Sequence, residues 1–539
     1  MLHYSTLLVL ILTGAAILLT LRKRRRPSLL SLPPGPKGLP LVGHLFTLPL
    51  TKQWETYAGW SQQLGSDIIH LDIAGSSIIV LSSTEAVKEL FERRSSLYSD
   101  RPESPMRQLM GWGFSVGFMK YGAYQYFSPH VGERWRAHRK LLHDAFNTSA
   151  NKQFHAQERA AAQVLLRRIL QDPHSRCCNV MEHFRHLAGS LVMDITYGID
   201  VRETEDPYIN IAEKAMYGLS VASVPGAFLV ESLPVLKYVP DWLPGAAFKR
   251  KAEEWKKWTC DLLEVPFKET QRNMSLGKAK PSFVSLNLHR LEIEDMGNTE
   301  DDKKESVIRG TAGSMYAAGS DTTVAALGTF VLAILLNPDV QQKAQAELDT
   351  VLGPGLLPDF SDRDTLPYVT AIVKETLRWR PVTPMAIPHY LSVDDEYRGY
   401  RIPAKSVIIG NAWAILHDEN MYPNPDNFNP ERFLLNGKLN PEMRDPEAAF
   451  GFGRRICPGR HVATSTLWIT VASILSTFSI RKAKKEDGEV IEPTNEYLPG
   501  LVSLLLKIDN QDVVETGPRI GTSEDGLKVR AQEIVLLQL

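Results

Sequence analysis

The stretch FGFGRRICPG, at residues 450–459, surrounds a single cysteine, Cys457, with glycines and arginines. The apolar run that follows it, residues 462–478, predicts a helix, so the cysteine lies in a tight loop at a helix N-terminus. Free backbone N–H groups and the helix dipole stabilise a thiolate at such a position. Three neighbouring cations are expected to lower the pKa of the cysteine further: Arg454, Arg455 and Arg460.

A cysteine thiolate in this setting acts either as a nucleophile or as a metal ligand. A nucleophilic cysteine needs a nearby base, and the residues around Cys457 supply none. A thiolate that holds haem iron needs no protein base, only hydrogen-bond donors that keep its charge. The glycine and arginine pattern therefore favours a haem-thiolate site over a nucleophile or a structural core thiol.

The stretch resembles F-x-x-G-x-R-x-C-x-G, the haem-binding signature of the cytochrome P-450 haem-thiolate monooxygenases. The resemblance covers roughly residues 30–500 and is nearest to the fungal microsomal branch that serves secondary-metabolite pathways. Through residues 223–245 the chain is similar to enzymes of the tryptamine 4-monooxygenase and O-methylsterigmatocystin oxidoreductase groups. All five fixed residues of the signature are present: Phe450, Gly453, Arg455, Cys457 and Gly459.

This resemblance implies a single large, mainly α-helical fold with a minor β part. It also implies haem b as the cofactor, with Cys457 as the axial iron ligand. The residues themselves agree with such a fold, because residues 68–73 and 78–81 flank a turn and read as a β-hairpin, whereas most later segments read as helices.

A second motif, AGSDTT at residues 318–323, lies in an apolar, Ala-rich run that predicts a helix over about 304–336. A small Ala-Gly pair lets a helix pass close over a flat cofactor and leaves room for dioxygen. An acid beside a hydroxyl can relay protons. The motif is similar to the family's A-G-x-D-T-T, which implies that Asp321 and Thr322 manage protons; a helix with a buried Ser/Thr cluster is the alternative.

A third motif pairs Glu375 with Arg378, on one face of a helix predicted over residues 366–380. The family joins this pair to the arginine of a downstream P-E-R-F, here Arg432. The resemblance implies an acid between two arginines that supports the cysteine loop from behind, whereas a surface ion pair is the usual meaning of E-x-x-R alone.

Two further positions resemble the family's contacts with the haem propionates. Trp135 and Arg139 match W-x-x-x-R, and His389 lies where family members often place a second propionate partner. A surface histidine is the alternative for His389. His183 and His186 lack accompanying acids and are interpreted as structural.

The N-terminus predicts a membrane anchor. Residues 2–21 carry no Lys, Arg, Asp or Glu, and about 20 helical residues span one bilayer core. Five cations follow at residues 22–26 and favour the cytosolic side. A cleaved signal peptide has the opposite order, and a core helix, the other alternative, rarely ends in five cations. The sequence thus predicts a single-pass protein of the endoplasmic reticulum membrane with a cytosolic catalytic domain.

The chain is accordingly divided into four parts. Residues 1–26 form the signal-anchor, residues 27–40 a stiff Pro-rich connector, residues 41–508 the catalytic haem domain and residues 509–539 a loosely attached tail. Two departures from the family pattern stand out. Residues 123–132 are an insertion before the propionate-binding helix, and the stretch after residue 503 lacks the family's usual pocket-closing sequence.

Composition restricts the partners. The 61 Lys+Arg and 62 Asp+Glu residues give a net charge of −1, which argues against nucleic acid as a partner. No dinucleotide fingerprint is present, so NADPH is expected to act indirectly, through a flavoprotein reductase. The predicted activity is insertion of one atom of O2 into an apolar small molecule. A reductase-independent dehydratase or isomerase and a non-catalytic haem-bearing ligand-binding protein are the alternatives.

Overall fold

The computed structural model of the chain describes residues 30–503 and 514–518, except for residues 41, 123–129, 172–179, 225, 243–244, 295–300, 354–355, 483–488, 494–496, 498–499 and 501. The predicted membrane anchor and most of the insertion therefore lie outside the described residues. Within these residues, one helix is long and apolar enough to span a membrane, Asp302–Leu336, and 72% of its apolar window is buried inside the protein. That degree of burial is typical of a core helix.

Helices dominate the described residues. The α-helices are α1 (Gln53–Gln63), α2 (Thr84–Val87), α3 (Ser95–Tyr98), α4 (Pro105–Leu109), α5 (His130–Phe146), α6 (His155–Gln171), α7 (Val180–Tyr197), α8 (Pro207–Ala222), α9 (Leu229–Ser232), α10 (Ala247–Ser275), α11 (Phe283–Glu294), α12 (Asp301–Leu336), α13 (Pro338–Leu352), α14 (Pro367–Trp379), α15 (Ala412–Leu416) and α16 (Arg460–Thr477). A π-helical turn follows α2, at Lys88–Arg93. Short 3-10 turns lie at Trp112–Phe114, Ala150–Phe154, Pro234–Tyr238, Phe360–Thr365, Pro430–Phe433, Glu447–Phe450 and Gly453–Arg455.

The β part is small. Its strands are β1 (Ile68–Ile73), β2 (Ser76–Leu81), β3 (His389–Tyr390), β4 (Asp395–Tyr397), β5 (Tyr400–Ile402), β6 (Val407–Gly410), β7 (Leu434–Leu435), β8 (Lys438–Leu439), β9 (Phe478–Lys482) and β10 (Val514–Pro518). One four-stranded sheet has the order β1-β2-β6-β3, and the remaining strands pair as β4-β5, β7-β8 and β9-β10. The predicted mainly helical architecture with a minor β part is confirmed.

The predicted hairpin is β1 and β2, paired antiparallel with Ile68 opposite Leu81. Its two turn residues, Ala74 and Gly75, have φ values of 49° and 94°, as a two-residue hairpin turn requires. Strand β6 joins β2 in parallel and pairs with β3 in antiparallel fashion. This sheet therefore fixes the position of β3, which carries one of the predicted site residues.

Helix α12 runs through the centre of the molecule and contacts α5, α7, α14 and α16. Its second half is buried on all sides, with Leu327 and Phe330 both 0% exposed. A helix that is apolar around its whole circumference cannot lie at a surface, so the sequence pattern itself places α12 in the core.

The observed bounds differ slightly from the predicted ones. Helix α12 begins at Asp301, earlier than the predicted 304, and α16 begins at Arg460, before its first apolar residue. Pro367 opens α14, and Arg380, expected inside that helix, has extended φ of −137°. The polar first turns of α12 and α16 lack the apolar spacing on which the prediction depends. Arg380 precedes Pro381, and a residue before proline is disfavoured in the helical conformation.

The C-terminal tail contributes one described strand. Strand β10 pairs antiparallel with β9, with Thr516 opposite Ile480. Val514–Pro518 of the predicted tail thus pairs with a strand of the body. Backbone pairing to a distant strand leaves little trace in a polar sequence, which is why the pattern alone missed it.

Candidate active site

The cysteine loop lies between the 3-10 turn Gly453–Arg455 and the N-terminus of α16. The backbone N–H of Cys457 donates to the carbonyl of Phe450 at 2.8 Å, which closes the loop. Gly453 has φ of +54°, and a Cβ on it would lie 2.0 Å from the Phe91 carbonyl oxygen. Both the left-handed backbone and this close approach require glycine, which accounts for one fixed position of the motif.

The Cys457 thiol is buried enough that desolvation raises its pKa, against the lowering effects of the Gly459 N–H, Arg139 and Arg460. The residue is nevertheless partly exposed, so it borders an internal space. The predicted lowering by Arg454 and Arg455 is wrong. These two cations bind elsewhere: Arg454 donates to the Tyr121 hydroxyl, and Arg455 donates to backbone carbonyls.

Arg455 is held rigidly beside the loop. Its guanidinium donates to the carbonyls of Ser99 at 2.8 Å, Val116 at 3.2 Å and Met119 at 2.7 Å. It also lies over the ring of Trp135, 4.5 Å from the centroid. Burial, the largest cause, lowers the pKa of Arg455 to about 9. A cation kept in so apolar a place indicates that an anion is expected nearby.

Helix α5 supplies the predicted Trp135 and Arg139. Trp135 is 6% exposed and meets the Tyr121 ring edge-on, with centroids 5.1 Å apart. Arg139 donates from Nη2 to the carbonyl of Ile456 at 2.7 Å. The structure therefore brings both residues to the cysteine loop, one through Arg455 and the other through the residue before Cys457.

His389 of β3 is a buried residue, and the surface-histidine alternative is wrong. Its ring stacks on Phe91 at 4.0 Å, and Nδ1 donates to the Tyr98 carbonyl at 2.7 Å. Burial, followed by Arg101, holds the pKa of His389 well below its usual 6.5. The neutral ring thus keeps Nε2 as an acceptor, and this nitrogen could donate to a propionate only after the ring takes up a proton.

Arg101 is a site residue that the sequence analysis missed. Its guanidinium donates to the carbonyls of Ile387 at 2.6 Å, Pro388 at 2.8 Å and Gly117 at 2.9 Å. Burial and then Arg455 hold its pKa well below the usual 12.5. An arginine before a proline is unremarkable in sequence, and only the packing of distant segments reveals that this cation is buried near Arg455.

The oxygen-side motif lies in the middle of α12. Ala318 is exposed although α12 runs through the core, so it borders an internal space; Ala317 before it is buried and Gly319 after it is half-buried. The Thr322 hydroxyl donates to the Ala318 carbonyl at 2.8 Å. A Cβ on Gly319 would lie 2.9 Å from Val192 of α7. Gly319, the second member of the small pair that was predicted to let the helix pass close over the cofactor, thus permits close packing of α12 on α7.

Asp321 lies three residues after Ala318 on the same helix. Burial raises its pKa to about 6, Arg185 lowers it and Glu213 raises it. Arg185 of α7 and Glu213 of α8 form an ion pair at 3.2 Å, and both are partly exposed. The carboxyl group of Asp321 thus lies between the interior of the molecule and a charged pair at the surface.

The predicted acid and its two arginines form a buried triad. Glu375 accepts from Arg378 at 2.7 and 2.9 Å and from Arg432 at 3.1 Å. Glu375 and Arg378 are 0% exposed, and Arg432 is 4% exposed. Both guanidiniums also donate to backbone carbonyls of residues 423–427. The triad fixes this loop, and the surface-ion-pair alternative is wrong.

His183 and His186, which were interpreted as structural, are both buried. The Nε2 atom of His186 forms a hydrogen bond with the carbonyl of Arg202 at 3.0 Å. Among the described residues, no group of three or more His, Cys, Asp or Glu side chains could hold a metal ion.

Comparison with known proteins agrees with this geometry. The sequence profile of the cytochrome P-450 family matches residues 33–509. The chain is 45% identical to cytochrome P-450 monooxygenase 98 of Postia placenta over 92% of each chain. It is 42% identical to tryptamine 4-monooxygenase of Psilocybe cyanescens over 92% of this chain and 94% of the other.

These matches assign the class of the protein: the chain belongs to the cytochrome P-450 family. A further relative, cytochrome P-450 monooxygenase ple1 of Rhodocybe pseudopiperita, is 43% identical over 88% of this chain and 87% of its own. The protein is a cytochrome P-450 monooxygenase, homologous to fungal enzymes of this type, and the family implies a haem-thiolate cofactor, dioxygen and an organic substrate.

The residues present fit a haem. Three arginines lie around the cysteine loop: Arg101 is buried, and Arg139 and Arg455 are half-buried. The carboxylate that acts on Arg101 and Arg455 is Asp100, whose Oδ1 already accepts from two backbone N–H groups. The three arginines outnumber the single carboxylate of Asp100. The site is therefore suited to a group with two carboxylates, such as the haem propionates.

Proposed function

We propose that the protein binds haem b through Cys457 and oxidises an apolar small molecule of fungal secondary metabolism, using O2 and electrons from a reductase. The observation that carries this proposal is the surplus of buried and half-buried cations around a partly exposed Cys457 in a loop at a helix N-terminus. When bound, haem supplies the dioxygen chemistry by which one oxygen atom enters the substrate and the other leaves as water.

Four residues of this chain would hold the propionates. Arg101, Arg139 and Arg455 would neutralise the carboxylates, since each guanidinium has five donors and spends some of them on backbone carbonyls. His389 would join them as an imidazolium once a nearby carboxylate raised its pKa. The Trp135 ring, which packs against the Arg455 guanidinium, would keep this arginine in place. The triad of Glu375, Arg378 and Arg432 would support the loop without touching the cofactor.

Asp321 and Thr322 would deliver protons. The Thr322 hydroxyl is adjacent to the Ala318 opening and can exchange its bond to the helix carbonyl for one to an incoming oxygen species. Asp321, with a pKa of about 6, changes protonation state close to neutrality. The exposed Arg185–Glu213 pair would connect Asp321 to solvent. A carboxyl group between solvent and a hydroxyl is the arrangement that general acid catalysis requires.

Electrons would come from an NADPH-dependent flavoprotein reductase. Arg136, Lys140 and Arg454 are exposed on the side of the molecule where α5 and the cysteine loop meet. A positive surface next to the thiolate suits an acidic partner. The relatives are monooxygenases, which favours this activity over a reductase-independent dehydratase or isomerase and over a non-catalytic haem protein.

Residues 1–26 would anchor the protein in the endoplasmic reticulum membrane, with the catalytic domain in the cytosol. Deletion of these residues should release most of the protein from membranes while haem loading is retained. Glycans on Asn147 or Asn273, which both fit the acceptor pattern, would place the domain on the luminal side and contradict this topology.

The decisive test is Cys457→Ser. The ferrous carbon-monoxide band that is typical of thiolate ligation should vanish, because a serine hydroxyl does not ionise near neutral pH. Cys260→Ser is the matched control, since Cys260 is exposed on α10 and should not affect the band. Survival of the band in Cys457→Ser would show that the ligand is another residue.

A further inference from the structure

A buried acid ties the helix that follows Cys457 to helix α6. Glu158 of α6 is 1% exposed. Its Oε1 accepts hydrogen bonds from the Ser465 hydroxyl at 2.5 Å and from the Thr466 hydroxyl at 2.8 Å. Both hydroxyls belong to the first two turns of α16. This carboxyl group therefore holds the end of α16 that carries the cysteine loop.

Two buried oxygen atoms beside this contact have no hydrogen-bond partner: Oε2 of Glu158 and Oδ1 of Asn151. Asn151 is 9% exposed, and its Nδ2 donates to the Ser465 hydroxyl oxygen at 3.5 Å. The two orphan atoms thus belong to groups that bond the same hydroxyl. Each orphan acceptor costs free energy, and two acceptors can satisfy each other only if one carries a proton.

We propose that Glu158 is protonated in the folded protein, donates from Oε2–H to Oδ1 of Asn151, and so acts through α16 as a positioning residue for the Cys457 loop. One proton then satisfies both orphan oxygens, while Oε1 continues to accept from the two hydroxyls of α16. With the Asn151 amide oriented as in the structure, an ionised carboxylate would instead have donors on only one oxygen and no solvent. Burial, the largest cause, raises the pKa of Glu158 to about 7, against lowering by Ser465 and Thr466.

The charges around this site do not reverse that balance. Arg363, in the 3-10 turn before α14, lowers the pKa of Glu158 but acts less than burial does, and its own pKa is lowered by burial. Helix α16 presents hydroxyls at the contact. Other charged or titratable groups of the adjoining segments act on one another. Arg159 forms a 2.6 Å ion pair with Asp359, and Lys152 and Asp359 both act on the pKa of His155.

The direction of the pH effect follows. The folded-state pKa of about 7 lies above the usual 4.5 of a glutamate, so the folded chain holds this proton more tightly than the unfolded chain does. The stabilisation is complete below pH 4.5 and is lost as pH rises through 7. Glutamine at this position would keep one N–H donor for Asn151 and one carbonyl acceptor for α16, without titrating.

The test compares wild-type holoprotein with Glu158→Gln and Glu158→Leu at about pH 5 and about pH 8. The midpoint of thermal unfolding should fall with rising pH in the wild type and much less in Glu158→Gln, which becomes the more stable of the two at the higher pH. Infrared difference spectra should show the carbonyl stretch of a protonated carboxyl in the wild type and not in Glu158→Gln. Glu158→Leu should melt lower at both pH values, because it leaves the α16 hydroxyls unpaired.

The effect on the Cys457 loop rests on the proposed function and has a readout of its own. At the higher pH, the wild type should lose the thiolate-type carbon-monoxide band faster than Glu158→Gln does. Absence of that band from every variant, with the melting and infrared results as expected, would overturn the haem-thiolate assignment and leave the protonation intact. A Glu158→Gln midpoint that drops equally at both pH values, with no infrared band lost, would show an ionised Glu158 and overturn the proposal. His155→Gln is a control for His155, the titrating residue at the start of α6. The unfolding midpoint of this variant must show the same pH dependence as that of the wild type.

Discussion

The carboxylate of Glu375 accepts a hydrogen bond from Arg432 at 3.1 Å although 57 residues of chain separate them. Arg378 binds the same carboxylate, and all three side chains are at most 4% exposed. One buried acid thus balances two buried cations, and it joins α14 to the segment before the cysteine loop.

Glu375→Gln should therefore destabilise the fold by about 3–5 kcal/mol, because it leaves two buried guanidiniums without a counter-charge. The haem content of the purified protein and the midpoint of thermal unfolding measure this loss. Glu431→Gln is a suitable control, since the neighbouring Glu431 forms an exposed ion pair with Lys343. Equal haem content in the two variants would contradict the structural role of the triad.

Thr322→Ala should keep haem bound but uncouple electron use from product formation. The hydroxyl that would be lost is the one beside the Ala318 opening. Loss of a positioned proton donor costs about 10²–10⁴-fold in the step that it serves. Hydrogen peroxide per NADPH should rise as product falls, whereas Thr323→Ala should behave as the wild type. Unchanged coupling would remove Thr322 from proton delivery.

The pH dependence of coupling should report Asp321. Its pKa of about 6 means that the carboxyl group is ionised above this value and protonated below it. Asp321 can donate a proton only while it is protonated, so product per NADPH should decrease as pH rises through about 6. Asp321→Asn should be poorly coupled at every pH and show no inflection. Persistence of the inflection in that variant would assign it to another group.

Reduction by the flavoprotein partner should slow as ionic strength rises, because complementary charge speeds association and salt screens it. Lys140→Glu should slow reduction further at low salt, whereas Lys438→Glu, at an exposed position of β8, should not. Stopped-flow measurement of the first electron transfer distinguishes them. A rate that is independent of salt in all three proteins would mean that docking depends on apolar contact.

The elements that the sequence predicted well are those with local signals. Turn residues and alternating apolar positions predicted the β1–β2 hairpin, and continuous apolarity predicted the core helix α12. Motif spacing placed Glu375 and Arg378 on one helix face. What the sequence missed depends on contacts between distant segments. Arg101 is buried only because residues 117 and 387–388 converge on it.

The same reason explains one contact that the sequence does not indicate and one incorrect expectation. A Cβ on Gly319 would lie close to Val192, a residue of another helix. The pKa of Cys457 was expected to be lowered by adjacent arginines in the chain. In the fold, desolvation prevails, and the cation contributed by a distant segment is Arg139. Closeness in the sequence therefore does not establish which charged side chains act on the Cys457 thiol.

The arginines around the site bind mainly the backbone. Arg101 and Arg455 each donate to three main-chain carbonyls, and so does Arg378, besides its bond to Glu375. A carbonyl is present whichever amino acid occupies a position. Mutations in these loops can therefore change side chains, and with them substrate preference, without loosening the scaffold. Because the arginines bind main-chain atoms, side chains in these loops can change during evolution while the hydrogen bonds that hold the loops are kept.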